Sequence, residues 1–237
     1  MLNKTIITLT VFLWSAQFIV AAPGAKIVSI KGEVKIRRGL EEKWRPAAQG
    51  MSLEIIDSIV ALEGEVVLEI EPGLTFQLGS HAMVDISDLR RITKKDLFLY
   101  LMSEKVRKIP PNSEKTRLRI ANVSVVHGES KASTQETDSD QLNQKWRQEF
   151  NGAKAMFFQK YYPNTILKLH KMSKNYSSRI DFGELHFYLG KAFERLDEQG
   201  QALDAYQTAL QQSNNCELSH IVTLRNEAQS AIEKLKK

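Results

Sequence analysis

The hydrophobic pattern of this chain changes its period part-way along, and that change constrains the fold more than any other feature. Between residues 26 and 89, apolar and polar residues alternate, and glycines separate the alternating runs. Alternation predicts strands with one buried face, and the glycines supply turn conformations that other residues disfavour. From about Gln141 the apolar residues recur at helical spacing instead. The sequence therefore predicts two domains, an N-terminal all-β module and a C-terminal all-α helical array.

The alternating runs predict the strands of the β module. Six of them lie at residues 26–30, 33–36, 57–62, 65–70, 74–78 and 82–86. Three more apolar-rich runs, at 96–102, 105–109 and 116–126, predict further strands, with a loop at 110–113. The alternation slips by one residue near Ala121, which indicates a bulge. The predicted β domain spans residues 25–129.

A polar segment separates the two predicted domains. Residues 130–140 are rich in Ser and Thr and short of apolar side chains. Such a segment cannot bury enough apolar surface to order itself, so residues 130–145 are predicted to be a solvated linker. The predicted helical domain occupies residues 146–237.

The N-terminus has the composition of an export signal. Lys4 precedes an apolar run over residues 5–20, and Ala21 and Ala22 provide small residues for cleavage. Residues 1–22 are therefore predicted to be a signal peptide, and both cleavage and retention as a membrane anchor remain open. Membrane contact is expected only where the segment is retained. The expected location is the periplasm of a Gram-negative-type bacterium.

Cysteine content and charge limit the classes of partner and stabilisation. Cys216 is the only cysteine, so no intramolecular disulfide can form and stability must come from packing. The net charge of +5 is spread over short basic pairs and is not gathered in one tract. That distribution is typical of a solvated surface, and no nucleic-acid partner is expected.

The order of motifs in the β module resembles the FecR domain family over residues 25–129. The matching stretches are Gly32-Glu-Val, Trp44-Arg-Pro-Ala, Gly50-Met-Ser-Leu, Asp57-Ser-Ile-Val, Gly73-Leu-Thr-Phe-Gln-Leu-Gly-Ser and Val84-Asp-Ile. The resemblance implies a periplasmic all-β module that binds a ligand or relays a signal. The best-known members carry a cytoplasmic segment that controls a sigma factor. Only residues 1–4 precede the apolar run here, so a direct transmembrane regulator is not expected.

The helical half resembles the tetratricopeptide repeat over residues 183–216. The residues that carry the resemblance are Leu189, Gly190, Ala192, Phe193, Ala202, Tyr206 and Ala209. Small residues such as Gly190 allow close approach of two helices, while Phe193 and Tyr206 fill the gap between them. His186 occupies a position where the repeat commonly has Trp.

Neighbouring segments extend this pair of helices into a short array. Residues 152–169 resemble a shortened copy, with Ala155 and Phe158 in its first helix, Ile166 and Leu169 in its second, and Pro163 near the second helix start. Residues 217–235 are predicted to form a last capping helix. One repeat cannot bury its own faces, so an array of about five helices is expected.

Catalytic and metal-binding signals are weak in this sequence. The five histidines do not pair at metal-ligand spacing, and no recognised hydrolase, phosphate-binding or CxxC motif occurs. The carboxylate pair Asp85 and Asp88 lies at a strand end, and Asp138 and Asp140 lie in the predicted linker. Acid–base catalysis requires pre-organised geometry that these positions do not predict. No catalytic residue, metal or cofactor is therefore predicted, and the protein is not expected to be an enzyme.

The function predicted from these features is that of a non-enzymatic scaffold of the cell envelope. Its helical array would bind an envelope protein or peptide, and its β module would bind another partner such as a cell-wall polymer. The predicted partner-binding residues are Tyr161, Tyr162, His186 and Tyr188. The tyrosines also fit the core of a helical repeat, so this second interpretation stays open. The alternative function is a polysaccharide- or peptidoglycan-associated hydrolase or enzyme accessory, which would need two carboxylates across a cleft.

Overall fold

The structure, a computed structural model, describes residues 24–107, 135–177, 181–214 and 216–236. The N-terminal part is a β-sandwich of two antiparallel sheets with four strands each, in the orders β4-β1-β6-β7 and β3-β2-β5-β8. The strands are β1 (Ala25–Lys31), β2 (Val34–Arg37), β3 (Arg45–Pro46), β4 (Ser52–Leu53), β5 (Ser58–Ala61), β6 (Glu65–Glu71), β7 (Leu74–Leu78) and β8 (Ala82–Asp85). A 3-10 helix at Ile86–Leu89 follows the last strand.

The alternating residues form the core of the sandwich, as the sequence predicts. Ile27 faces Leu68 across the β1–β6 pair, and Ile36 faces Ile59 across the β2–β5 pair. All four side chains are at most 2% exposed. The six strands predicted over residues 26–86 are therefore confirmed. Strands β3 and β4 were not predicted, because two residues are too few to show a period.

Two glycines close the end of the β1–β6 pair by direct backbone contact. Gly32 and Gly64 both adopt positive φ, at 82° and 84°. A Cβ atom on Gly64 would lie 1.9 Å from the Lys31 carbonyl oxygen, and one on Gly32 would lie 2.4 Å from the Glu63 carbonyl oxygen. Only glycine fits both the backbone conformation and the space at these turns.

Six helices occur in the described residues. They are α1 (Lys94–Arg107), α2 (Gln135–Phe158), α3 (Tyr162–Asn175), α4 (Glu184–Glu194), α5 (Gln199–Ser213) and α6 (Ser219–Leu235). Helices α2, α4 and α6 lie side by side in one layer, while α3 packs against α2 and α4, and α5 packs against α4 and α6. The five helices predicted after the β module are thus confirmed in residues 135–236.

The close helix contact predicted for residues 183–216 is present. A Cβ atom on Gly190 would lie 2.6 Å from the ring of Tyr206, which is 1% exposed. The Tyr206 hydroxyl donates a hydrogen bond of 2.8 Å to Glu194 Oε2. Helices α4 and α5 therefore approach through a glycine on one side and an aromatic ring on the other.

The strand predicted at residues 96–102 is wrong, because this run belongs to α1. The helix begins with a reciprocal cap, in which Thr93 N–H donates to Asp96 Oδ2 at 3.0 Å and Asp96 N–H donates to Thr93 Oγ1 at 3.2 Å. Leu97 and Leu101, four residues apart, pack against the helical core. A continuous apolar run fits a strand and a buried helix equally well, so periodicity alone gave the wrong element.

Other predictions for this part of the chain have mixed outcomes. Residues 105–107 were also predicted as a strand, yet they complete α1. The strand at 116–126, its bulge and the loop at 110–113 lie outside the described residues, as does the predicted signal segment 1–22. The last of the described strands ends at Asp85, whereas the β domain is predicted to extend to residue 129.

The predicted linker is also wrong over residues 135–145, which form the first turns of α2. The side chains at 140–145 are exposed, and the buried side chain of Trp146 follows them. Extending an existing helix requires no new nucleation, so a polar segment can continue a helix whose later turns are packed. Composition identified the solvated segment correctly but not its conformation.

Helix α2 joins the helical array to the sandwich. Gly152 lies against β8, where a Cβ atom would stand 2.0 Å from the Met83 carbonyl oxygen. The Gln159 side chain pairs with the backbone of Gln77 on edge strand β7, accepting at 2.8 Å and donating at 2.7 Å. Met156 is fully buried in the sandwich core. The two parts of the molecule therefore share one packed interface along α2.

Candidate partner-binding surface

A cluster of aromatic rings lies on the layer formed by α2, α4 and α6. On α2, the buried residues Trp146, Phe150 and Phe157 recur at helical spacing and form one stripe. Helix α4 places Tyr188 next to this stripe. The spacing of apolar residues on each helix, together with the side-by-side packing of α2 and α4, therefore assembles the cluster.

Tyr188 is the centre of the cluster. Its ring lies near four phenylalanine rings, all in edge-to-face arrangement, with centroid distances of 5.6 Å to Phe150, 5.7 Å to Phe187, 5.8 Å to Phe157 and 6.4 Å to Phe158. Edge-to-face pairs at such distances are favourable beyond the area they bury. These five residues are called the aromatic surface below.

Phe158 is the exposed member of the aromatic surface. Its side chain is 68% exposed, whereas the neighbouring Phe157 is only 7% exposed. Burial of a phenylalanine side chain stabilises a protein by about 1.5 to 3 kcal/mol relative to exposure, so Phe158 contributes little of this to folding. The last turn of α2 thus presents an apolar ring to solvent beside an ordered aromatic cluster.

Two lysines border the aromatic surface. The Lys154 ammonium lies 5.1 Å from the centroid of Phe150, and the Lys191 ammonium lies 5.0 Å from that of Phe187. Both distances allow cation–π attraction. Lys191 also approaches Glu227 Oε2 on α6 at 3.5 Å. The border is therefore charged on both sides while the centre is apolar.

A groove continues from the aromatic surface along the start of α4 and α6. The cavity has a volume of about 390 Å³ and includes Phe150, Lys154, Phe182, Glu184 and Leu218 in its lining. Phe182 and Leu218 are 37% and 52% exposed. Burial raises the pKa of the Glu184 carboxyl group, and the charges of Lys154 and His220 oppose part of that shift. The groove thus combines exposed apolar walls with a few charged groups.

The four predicted partner-binding residues do not form one site. Tyr188 is at the centre of the aromatic surface, and Tyr162 lies beside it with its ring 5.5 Å from that of Phe157. Tyr161 instead packs perpendicular to Phe76 of the sandwich, at 5.7 Å. His186 lies on the other side of α4, where Nδ1 is 2.9 Å from Gln212 Oε1. The structure therefore brings Tyr162 and Tyr188 together and separates Tyr161 and His186 from them.

The sequence interpretation missed the exposed ring. It placed Ala155 and Phe158 in the first helix of the shortened copy, and the residues of this helix that enter the helical core are instead Ala153 and Phe157. Ala155 packs against the sandwich core. Consecutive residues on a helix point about 100° apart, so only one of two adjacent phenylalanines can face the helical core. The pair Phe157-Phe158 was the available signal that one ring would be exposed.

The carboxylates of the junction are arranged around a buried lysine. The Lys168 side chain is 1% exposed, and its Nζ lies 2.8 Å from Asp88 Oδ2, 3.3 Å from Asp85 Oδ2 and 3.7 Å from Glu149 Oε2. The Tyr176 hydroxyl donates to Glu149 Oε1 at 3.0 Å, and the Ser58 hydroxyl donates to Asp85 Oδ1 at 2.7 Å. This junction cluster links β5, β8 and the 3-10 helix to α2 and α3.

Electrostatics in the junction cluster favour the charged forms of Asp85 and Lys168. Burial alone would raise the pKa of Asp85, but the charge of Lys168, the Ser58 hydroxyl and Lys171 together lower it to about 2. Burial likewise opposes charge on Lys168, yet the carboxylates of Asp88, Asp85 and Glu149 raise its pKa. The three carboxylates converge on one ammonium group and do not face each other across a cleft. This arrangement is that of a structural ion cluster.

Comparison with known proteins adds no assignment to these observations. No family model, curated protein or solved structure matches this chain. Within the described residues, no group of His, Cys, Asp or Glu side chains could hold a metal ion. In the same part of the chain, no helix has the length and apolar composition needed to cross a membrane. The candidate site therefore rests on the geometry of the aromatic surface.

Proposed function

We propose that this protein is a non-enzymatic scaffold of the cell envelope that binds a segment of a partner protein on its aromatic surface. The observation that carries the proposal is Phe158, an exposed ring that continues an ordered aromatic cluster. Exposed apolar patches with polar borders are typical of interaction sites, and aromatic residues dominate binding energy at interfaces. Water around Phe158 would be displaced when a partner covers it.

The partner segment is expected to carry an apolar anchor side chain. The anchor would cover Phe158 and the edge of Tyr188, because these rings offer apolar area next to solvent. Polar and charged groups of the segment would lie along Lys154 and the groove at Glu184. In repeat proteins, layers of side-by-side helices bind peptides in this way, and α2, α4 and α6 form such a layer. The resemblance to the tetratricopeptide repeat also supports the proposal.

The resemblance of residues 25–129 to the FecR family and the predicted signal peptide at residues 1–22 support a location in the periplasm. In this proposal the β module positions the helical array through the interface along α2. Two features hold the two parts in one orientation. They are the close contact between Gly152 and β8, and the junction cluster. A rigid scaffold would present its partner at a defined distance from the module.

Site-specific photo-crosslinking tests the proposal. A photo-reactive amino acid replaces Phe158 in one variant and Ile56 in a control variant. Ile56 is a matched control because it is 66% exposed, close to the 68% of Phe158, and belongs to the N-terminal sandwich part of the molecule. In cells that export the protein, we expect one discrete crosslinked product at position 158 and none at 56. Mass spectrometry identifies the partner. The purified partner should then bind the protein with at least about tenfold lower affinity after Phe158→Ala, since loss of an interface anchor costs about 1.4 kcal/mol or more.

Three outcomes would contradict the proposal. Equal crosslinking at both positions, or none at position 158, would show that the aromatic surface does not bind a partner. Hydrolysis of purified cell wall by the protein would contradict the non-enzymatic function and favour the hydrolase alternative.

A further inference from the structure

We propose that a trough between α2 and the outer face of the β3-β2-β5-β8 sheet binds an anionic polysaccharide that carries carboxylate groups. The inference rests on the proposed scaffold function, because it assigns a ligand class to the β module of that scaffold. The trough begins at a cavity of about 330 Å³ lined by Lys35, Arg37 and Trp44 from the sheet side and by Gln144, Lys145 and Gln148 from α2.

The trough is long and follows one face of α2. Gln141, Gln144 and Gln148 are spaced three and four residues apart, so their side chains lie on the same side of the helix. Gln144 and Gln148 also line a neighbouring cavity of about 610 Å³ that reaches Asn151 and His81. Two adjoining cavities with shared walls suit an extended chain better than a single small molecule.

The charge of the trough is positive. The first cavity has three cationic side chains, those of Lys35, Arg37 and Lys145, and no carboxylate in its lining. The lining of the second cavity includes one further cation, Arg147, and one carboxylate, Asp140. Lys35 pairs with Glu33 at 2.8 Å, but this is a surface pair with a Glu33 side chain 54% exposed, and such pairs are weak. A ligand carboxylate can therefore compete for these cations.

Arg37 is held in place at the base of the trough. Its guanidinium lies 5.3 Å from the centroid of the Trp44 ring, and its Nη2 donates to the Ser58 hydroxyl at 3.1 Å. Its buried Nε–H makes no hydrogen bond with the described residues. Trp44 and Ser58 therefore fix the position of this cation in the lining of the trough.

The combination of side chains favours a carbohydrate over a nucleic acid. Carboxamides donate and accept hydrogen bonds, which matches the hydroxyl groups of sugars. Arginine and lysine pair with carboxylates through charge-assisted hydrogen bonds. Single-stranded nucleic acid needs several stacking platforms, whereas this cavity has one aromatic side chain, Trp44, and Arg37 already lies over its ring. A neutral glycan would offer no carboxylate to the three cations of the lining.

Calorimetric titration of the purified full-length chain with polygalacturonate tests the inference, with dextran and oligo(dT) as comparison ligands at about 150 mM salt. We expect binding to polygalacturonate alone. The double variant Lys35→Gln/Lys145→Gln should weaken it at least about fivefold, and Trp44→Ala about tenfold. The control is Lys26→Gln, which removes an exposed lysine from the opposite sheet and should leave the affinity unchanged.

Several outcomes would overturn the inference. They are absence of binding, equal binding of dextran or oligo(dT), and an equal loss of affinity in Lys26→Gln, which would indicate general electrostatic attraction. Phe158→Ala should keep full affinity for polygalacturonate, and the trough variants should keep the crosslink at position 158. The two measurements therefore distinguish a failure of the proposed polysaccharide binding in the trough from a failure of the proposed partner binding at the aromatic surface.

Discussion

The two sides of helix α2 differ in their packing and in the kind of side chain they carry. The side facing the sandwich is closely packed, with Gly152 against the β8 backbone and Lys168 of α3 completing the interface through an ion cluster. The side facing α4 carries an aromatic cluster that ends in the exposed ring of Phe158. Buried contacts and ion pairs hold the structure together, whereas an apolar ring exposed to water contributes little to folding. The difference separates residues that maintain the fold from Phe158, which is proposed to contact a partner.

The largest effect is expected from removing the ammonium group of the junction cluster. Lys168→Met leaves three carboxylates, whose side chains are at most 24% exposed, without their cation, so the free energy of unfolding should fall by about 3 to 5 kcal/mol. Urea denaturation of the variant and of the wild type measures this loss of free energy of unfolding. The control Lys171→Met removes a lysine that is 52% exposed and should cost less than about 1 kcal/mol. Equal effects of both substitutions would mean that burial of Lys168 is unimportant.

The adjacent phenylalanines provide a matched pair on the other side of α2. Phe157→Ala should lower the free energy of unfolding by about 3 kcal/mol, because it creates a cavity among the rings of the helical core. Phe158→Ala should change it by about 0.5 kcal/mol or less, since that side chain is largely exposed. Thermal unfolding of both variants checks the difference. A large loss for Phe158→Ala would assign this ring to the fold and weaken the proposed binding surface.

The close contact at Gly152 should tolerate no added atom. Gly152→Ala places a Cβ atom against the Met83 carbonyl group and should cost about 1 to 3 kcal/mol despite the better helix propensity of alanine. Gly200→Ala, on α5, is the control, because no atom lies within 4 Å of its added Cβ. It should stabilise the protein by up to about 1 kcal/mol. Opposite signs for the two substitutions would confirm that α2 needs backbone contact with β8.

The smallest effect concerns pH. The pKa of Asp85 is about 2 in the folded protein, below its ordinary value of 3.8. A lowered folded-state pKa contributes stability that is present above pH 3.8 and is lost as the pH falls through 2. Wild type should therefore lose about 1 to 2 kcal/mol more than Asp85→Asn between pH 5 and pH 2. Identical pH profiles would show that Asp85 does not stabilise the junction through its charge.

The repeating parts of the fold were predictable because neighbouring residues carry the information. Alternation located β1, β2, β5, β6, β7 and β8, and helical spacing located α4, α5 and α6. Prediction failed at residues 96–102, where an uninterrupted apolar run has no period, and at residues 135–145, where a polar segment extends a packed helix. The cap between Thr93 and Asp96 was visible in the sequence and would have identified α1.

The candidate sites were less predictable, because each combines distant segments. Tyr162 and Tyr188 come together with α2, whereas Tyr161 packs on the sandwich and His186 faces the other side of α4. Which of two adjacent phenylalanines remains exposed depends on the rotation of α2 about its axis. That rotation is set by the contacts of Gly152 and Met156 with the sandwich, which is distant in the sequence.

By itself, the sequence determined a strand-rich module followed by paired helices, since hydrophobic period and small-residue spacing act within single elements and between neighbours. Tertiary structure alone decided that α2 serves both parts, that Lys168 gathers three carboxylates from separate segments, and that a cationic trough lies along the outer sheet. The physical reason is that close packing and charge pairing join residues far apart in the chain. Local sequence patterns indicate which face of a strand or helix is apolar, but they do not indicate which faces pack against each other.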